Sequence, residues 1–338
     1  MVPYSILDLV SIAAGSDPGQ ALRNAVDLAQ HAEAWGYRRH WFAEHHNMPG
    51  IASAATAVIM THVAGATRTI RIGSGGIMLP NHSPLVIAEQ FGTLETLFPG
   101  RIDLGVGRAP GTDRITALAL RRDIDARADS FPRDVVELQG FLAPPRADQP
   151  VRAIPGAGTN VPLWILGSSL FGAQLAAMLG LPYSFASHFA PDALLPALAI
   201  YRERFEPSGQ LGRPYAMPAL HVTAADSDAE ARRLFTSTQQ AIANLLRDAR
   251  APLPEPIDDV DTYWTPAEKA RAQHMLKYSV VGSPERVRQA LGRFIAQTKA
   301  DEIMVATLIH DHKARLRSFE IVADVMKAME GESAEVTA

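Results

Sequence analysis

The chain contains no cysteine. That absence excludes disulfide frameworks, thiolate zinc sites, cysteine-ligated iron–sulfur clusters and a cysteine nucleophile, so the chemistry must rest on other side chains or on a cofactor. Also missing is any charge-free apolar run of about 18 residues, the length a membrane-spanning helix needs. Neither sign of charge dominates: 32 Lys and Arg stand against 36 Asp and Glu, with no basic block of the kind that holds nucleic acid or an anionic membrane surface. The first residues, MVPYSILDLVSIAAGSDPGQ, have no basic start and carry Asp8 inside the apolar stretch, so they read as a buried strand and not as a secretion signal. The expectation is a cytoplasmic protein whose partners are small molecules, with no nucleic acid and no membrane.

What is present is a strict alternation. Short apolar, β-rich runs at 4–9, 39–43, 70–73, 102–106, 163–166, 183–186, 217–223 and 302–307 are each followed by a helical pattern. Parallel neighbours need long crossovers, so this order implies a parallel sheet covered by helices. Eight units imply closure, giving an α/β fold of the (β/α)8 TIM barrel type with insertions after strands 4 and 7. An open doubly wound sheet is the alternative, but it would use fewer strands and show a dinucleotide fingerprint at its start, where none stands. Residues 1–330 form one domain on this reading, and 331–338 a flexible tail. The insertions are the Pro/Gly-rich stretch 141–162 and the Pro/Asp-rich stretch 250–266, either lids over the carboxyl end of the barrel or plain surface excursions.

Four segments at strand ends carry candidate chemistry. In Trp41-Phe42-Ala43-Glu44-His45-His46-Asn47 a strand runs straight into polar residues. Neighbours on an extended chain face opposite ways, so only one of His45 and His46 faces a site. A zinc site is poorly served, since His-Glu-x-x-His is absent and the other close pair is His310 with His312. In Gly73-Ser74-Gly75-Gly76 the small residues permit close approach of a flat ligand or, equally, tight packing at the rim. Gly105-Val106-Gly107-Arg108-Ala109-Pro110-Gly111, with Asp125 beyond, imitates a dinucleotide loop. The glycine spacing fails, however, and Arg108 is better read as an anion clamp. Gly167-Ser168-Ser169 opens a helix, either as a Ser cap or as a phosphate cradle shared with Arg108. Phe171, Phe185, Met78 and Trp264 could line a pocket, although such residues are more often core.

As a set and in this order, these segments resemble the bacterial luciferase-like flavin-dependent monooxygenases, from Tyr4 to about Met329. SILDLVS, FAEHHN, IGSGGIMLPNHSP and PGRIDLGVGRAPGTD are similar, more narrowly, to a subgroup of luciferase-like oxidoreductases whose substrates are mostly unassigned. The resemblance implies the same barrel and gives the site residues roles. His45 takes part in proton transfer at the flavin. Gly75 and Gly76 form a non-prolyl cis peptide beneath the flavin ring. Arg108 holds the FMN phosphate, and Gly167, Ser168 and Ser169 complete that phosphate site. Gly107 stands where luciferase has a reactive cysteine, and the stretch from Ser184 to His188 lacks luciferase's tryptophan, so light emission is unsupported.

The implied activity is monooxygenation of a small organic substrate with O2 through a C4a-(hydro)peroxide of reduced FMN. A separate NAD(P)H:flavin reductase would supply the flavin, since no NAD(P)H fingerprint survives inspection. A homodimer is implied as well. The rivals are a deazaflavin (F420)-dependent hydride-transfer enzyme on the same barrel, a non-catalytic FMN-binding protein, and a metal-dependent hydrolase using His45, His46, His310 and His312.

Overall fold

The computed structural model describes residues 2–109, 114–120 and 130–337. The chain runs β1 (Tyr4–Asp8), α1 (Pro18–Trp35), β2 (Arg39–Phe42), α2 (Thr56–Ala66), β3 (Arg71–Met78), α3 (Pro84–Leu97), β4 (Ile102–Gly107), α4 (Arg114–Leu120), α5 (Phe131–Leu142) and β5 (Leu163–Gly167). It continues through α6 (Leu170–Leu179), β6 (Tyr183–Phe185), α7 (Leu194–Glu203), β7 (Ala216–Ala224), α8 (Asp228–Leu246), α9 (Pro266–Met275), β8 (Ser279–Gly282), α10 (Pro284–Thr298), β9 (Ile303–Ala306) and α11 (His312–Thr337). Local chemistry sets the ends of several helices. Pro18 and Pro84 occupy first-turn positions where a missing N–H costs nothing, and Gly36 and Gly180 close α1 and α6 in the left-handed conformation. The last helix reaches Thr337, across the stretch expected as a tail.

All strand pairs are parallel, in the order β1 to β7, then β9, which returns to β1. This is the closed eight-stranded barrel that the alternation implies. The ninth strand, β8, pairs only with the distal half of β7, from His221 to Ala224. Its four residues carry too little pattern to stand out in the sequence.

The two insertions separate. Residues 143–162 follow α5 and enter β5, so they lie on the amino-terminal side of the barrel. The Leu104 N–H donates to the Pro162 carbonyl at 2.9 Å, and the Gly156 backbone fits so closely against Gly92 of α3 that a Cβ there would overlap it. A lid role for this stretch is therefore corrected: it is a packed connection below the barrel. The second insertion goes to the other end. Leu253 exchanges backbone hydrogen bonds of 2.8 Å with Ile12 and Ala14, in the loop after β1 at the carboxyl rim.

Alternation along the strands makes two cores. Residues such as Ile6, Phe42, Ile72, Leu104, Leu220 and Val305 face the helices. Leu7, Trp41, Ala43, Trp164, Met217, Ala219, Met304 and Ala306 fill the lumen. Below this lumen layer, at the amino end, lies a buried ion network. Arg39 donates to Glu302 through Nε and Nη2 (2.7 and 2.9 Å) and to Asp103 through Nη1 (2.7 Å), while the Tyr215 hydroxyl donates to Glu302 (2.8 Å) and Trp41 to Asp103 (3.1 Å). Burial would raise the Asp103 pKa, but Arg39 and Arg71 beside it hold it low. The barrel is thus plugged at its amino end. Among the described residues no helix is long and apolar enough to cross a membrane.

Candidate active site at the carboxyl end of the barrel

The carboxyl end of β2 delivers the first group. Arg39, Trp41 and Ala43 face the lumen, and β2 ends at Phe42; the same alternation carried past that end would put His45 on the lumen side and Glu44 and His46 on the other. His45 is half-buried and close enough to His188 to act on it electrostatically.

Glu44 was not singled out in the sequence, yet it organises the rim. Its carboxylate is 1% exposed and accepts from His46 Nε2 (2.7 Å), His82 Nε2 (2.9 Å) and the Met78 N–H (3.0 Å), while its own N–H donates to the Gly76 carbonyl at 3.3 Å. Burial works to raise its pKa, but the bonds from His46, His82 and Met78 prevail and hold it near about 2. Glu44, His46 and His82 are the one set of three ligand-type side chains drawn together among the described residues. Their separations of 2.7–3.0 Å are those of charge-assisted hydrogen bonds to a carboxylate. His310 and His312 are elsewhere, on the Ala14 carbonyl (3.0 Å) and on Asp27 (2.8 Å), so the four-histidine metal reading does not assemble.

At β3 the Gly75–Gly76 peptide is cis, as the resemblance implies, and the register against β4 slips there, with Gly75 opposite Gly105 and Ile77 opposite Val106. The space about these glycines is already filled. A Cβ on Gly75 would come within 2.6 Å of Leu7 Cδ1, and one on Gly76 within 2.8 Å of the Gly105 carbonyl oxygen. Packing alone therefore requires glycine at position 76, where the obstacle is backbone, whereas at Gly75 the Leu7 side chain would have to move aside.

The phosphate pair comes together. Arg108, just past β4, is exposed, and its guanidinium lies 4.1 Å from the ring centroid of Phe171 in the first turn of α6. Ser168 and Ser169 precede that turn, both exposed, and Ser169 at the cap position makes no side-chain bond to the helix. The simple Ser cap is thus not formed, and the guanidinium over Phe171 stands beside the first turn of α6. Arg108 has no carboxylate partner among the described residues. A Cβ added at Gly167 would stand 3.4 Å from Gly172 Cα and from the Tyr183 hydroxyl, an ordinary contact. Cationic guanidinium, open helix N-terminus and two hydroxyls fit a monophosphate.

The pocket candidates divide. Phe185 is core on the helix side, and Trp264 belongs to a small cluster between α8 and α9. Phe171 serves Arg108, and the Met78 backbone serves Glu44. Pro110, Gly111 and Asp125 of the imitation dinucleotide loop lie outside the described residues. Two further histidines were not singled out in the sequence: His221 on the lumen side of β7, and His188 after β6, whose ring lies edge to face against it. The one signal for His221 was its position two and four residues after Ala219 and Met217, on the lumen side.

Comparison with known proteins bears on the family and the fold. A family model described as luciferase-like monooxygenase matches residues 2–302. The chain is 53% identical over 330 residues to a luciferase-like monooxygenase of Escherichia coli (strain K12), with 98% of each chain covered. It is 32% identical over 339 residues to N-acetyl-S-alkylcysteine monooxygenase of Bacillus subtilis (strain 168), covering 97% of this chain and 99% of that protein. Among solved structures, apo-MsnO8 matches with a TM-score of 0.91 at 32% identity, over 97% of this chain and 99% of the other.

Proposed function

The chain belongs to the luciferase-like monooxygenase family, and from that premise we propose that it oxygenates a small organic substrate with O2, using reduced FMN supplied by a separate NAD(P)H:flavin reductase. The observation that carries the reading is Arg108 stacked over Phe171 at the uncapped first turn of α6, a cradle whose charge and donors suit the FMN phosphate. Arg108, Gly167, Ser168 and Ser169 would hold that phosphate, and the cis Gly75–Gly76 segment would seat the ring system. When bound, the reduced flavin supplies the electrons that activate O2.

The protein's own part is positioning and proton handling. Glu44 ties the Gly76 carbonyl and the Met78 N–H to the end of β2, which fixes the seat. His45, at the end of β2, moves a proton through its imidazole. The plug of Arg39, Asp103 and Glu302 closes the lumen from below, and the loop through Leu253 covers one side of the rim, so water access is limited to the mouth. The chain works in the cytoplasm and pairs as a homodimer; a monomeric mass in solution scattering would contradict the pairing.

The test is anaerobic titration with reduced FMN, followed by rapid mixing with O2 and measurement of substrate-dependent oxygen uptake. Binding with uptake above free-flavin autoxidation is expected. Binding with no uptake across a substrate panel would favour the non-catalytic alternative. Anaerobic reduction of bound F420 by a substrate would favour the hydride-transfer alternative.

A further inference from the structure

The loop after β1 and the amino-terminal parts of α1 and α11 enclose a narrow cleft at the rim that contains none of the residues assigned to the flavin. Ser11, Ser16, Asn24, His310, His312 and Arg315 supply its polar lining, and Ala21, Leu253 and Ile309 its apolar wall. Arg315 is the group left incomplete. Its side chain is 8% exposed and makes one hydrogen bond among the described residues, from Nη2 to the Asp8 carboxylate at 2.7 Å. Nε is sealed and unpartnered, while Nη1, which is not sealed, has no acceptor among the described residues. A guanidinium carries five N–H donors, and a largely buried one left short of acceptors is costly. Since Nε is out of reach, a molecule in the cleft completes the Nη edge.

The other polar groups decide what that molecule presents. Asn24 accepts from Gln20 Nε2 through Oδ1 at 2.8 Å, which leaves its NH2 to donate. The hydroxyls of Ser11 and Ser16 make no hydrogen bond among the described residues. His310 Nε2–H donates to the Ala14 carbonyl (3.0 Å) and His312 Nε2–H to Asp27 (2.8 Å), since a carbonyl and a carboxylate only accept. Both imidazoles thus spend that N–H on groups outside the cleft and act there mainly as walls. No carboxylate lines the cleft, and Asp8, which meets Arg315 from the barrel side, is fully buried. A cationic edge, a free amide NH2 and two free hydroxyls select an acceptor that carries negative charge.

We propose that this cleft binds a small carboxylate, of formate or acetate size, on the Nη edge of Arg315 and the Asn24 amide. A planar carboxylate matches a guanidinium edge, and the narrow cleft admits little beyond a methyl group, which Ala21, Leu253 and Ile309 would receive. Its occupant ties α11 to the loop after β1, and Ile12 and Ala14 of that loop hold Leu253 of the second insertion. Binding therefore stabilises the rim by mass action. The site goes beyond the flavin reading and does not rest on it.

The test uses the whole chain labelled with 15N at arginine. Sodium formate, sodium acetate and acetamide are titrated in at constant ionic strength, and the arginine side-chain nitrogens are followed by NMR, with Arg315→Lys used to assign the resonance. The expected result is a saturable shift of Arg315 with formate and acetate, and binding of acetamide weaker by at least about tenfold. Asn24→Asp, at a half-buried position, sets a like charge in the cleft and should weaken acetate by at least about tenfold as well. Acetamide binding as tightly as acetate, an Arg315 resonance that none of the probes moves, or wild-type affinity for acetate in Asn24→Asp would overturn the site. Should Arg315→Lys not fold, melting temperatures decide: a rise with acetate that Asn24→Asp loses supports the site, and equal rises in both chains overturn it.

Discussion

Replacing Glu44 by Gln is the sharpest test of how the rim is held. The carboxylate accepts from two imidazoles and one backbone N–H, and a neutral amide has a single acceptor oxygen. Its NH2 must therefore point at one of those donors. The fall in the Glu44 pKa from 4.5 to about 2 measures how strongly the folded state favours the ionised form. At about 1.4 kcal/mol per unit, this is on the order of 3 kcal/mol at neutral pH. The loss of one or two charge-assisted hydrogen bonds, at about 1.5–3 kcal/mol each, agrees in size. The pH dependence follows from which state takes up the proton. Between about pH 4.5 and 2 the unfolded chain binds a proton that the folded chain still resists. The wild type therefore loses this stability as pH falls through that window, whereas Glu44→Gln has no such group to lose. Urea unfolding followed by tryptophan fluorescence at pH 7, 5, 4 and 3 should show a gap of about 3 kcal/mol at pH 7 that narrows below pH 4.5. A gap under about 1 kcal/mol at pH 7, or one that stays flat down to pH 3, would refute the reasoning.

Three other substitutions probe the remaining parts. Arg108→Ala should weaken FMN by roughly 10- to 100-fold, as expected for one charge-assisted contact, and leave riboflavin almost unchanged; equal losses for both in equilibrium titration would remove the phosphate role. His45→Ala should bind flavin normally but slow turnover by about 100-fold or more, and an unchanged rate on a true substrate would end its assignment in proton transfer. Gly76→Ala sets a methyl against the Gly105 backbone at 2.8 Å, which cannot yield as a side chain would, so a melting temperature within a degree of the wild type would contradict the packing described for β3.

The barrel was legible because its signal is local and repeated. Each lumen strand announces itself as a short apolar run before a helical pattern, and the closing pair of β9 with β1 follows from counting. β8 was not legible, since Ser279 to Gly282 is four residues of weak pattern stabilised by the far half of β7. The stretch 143–162 was misplaced because composition marks a loop but not the end of the barrel on which it lies. Among the site residues, those at strand ends were readable one by one. The Glu44 hub was not, although Glu44 and His46 fall within FAEHHN and His82 within IGSGGIMLPNHSP. What joins them is a contact across 38 residues that no spacing rule anticipates. His188 and His221 escaped for the same reason, as did the pairing of Arg39 with Glu302.

That last pairing has a consequence for traffic. A barrel whose far end is stopped by a buried guanidinium between two carboxylates has one doorway. Whatever enters deepest must arrive before anything that stands in the opening, and must wait for it to leave. Order of arrival is then a matter of architecture as much as of affinity, and a broader doorway would change the sequence of events without touching a reacting group.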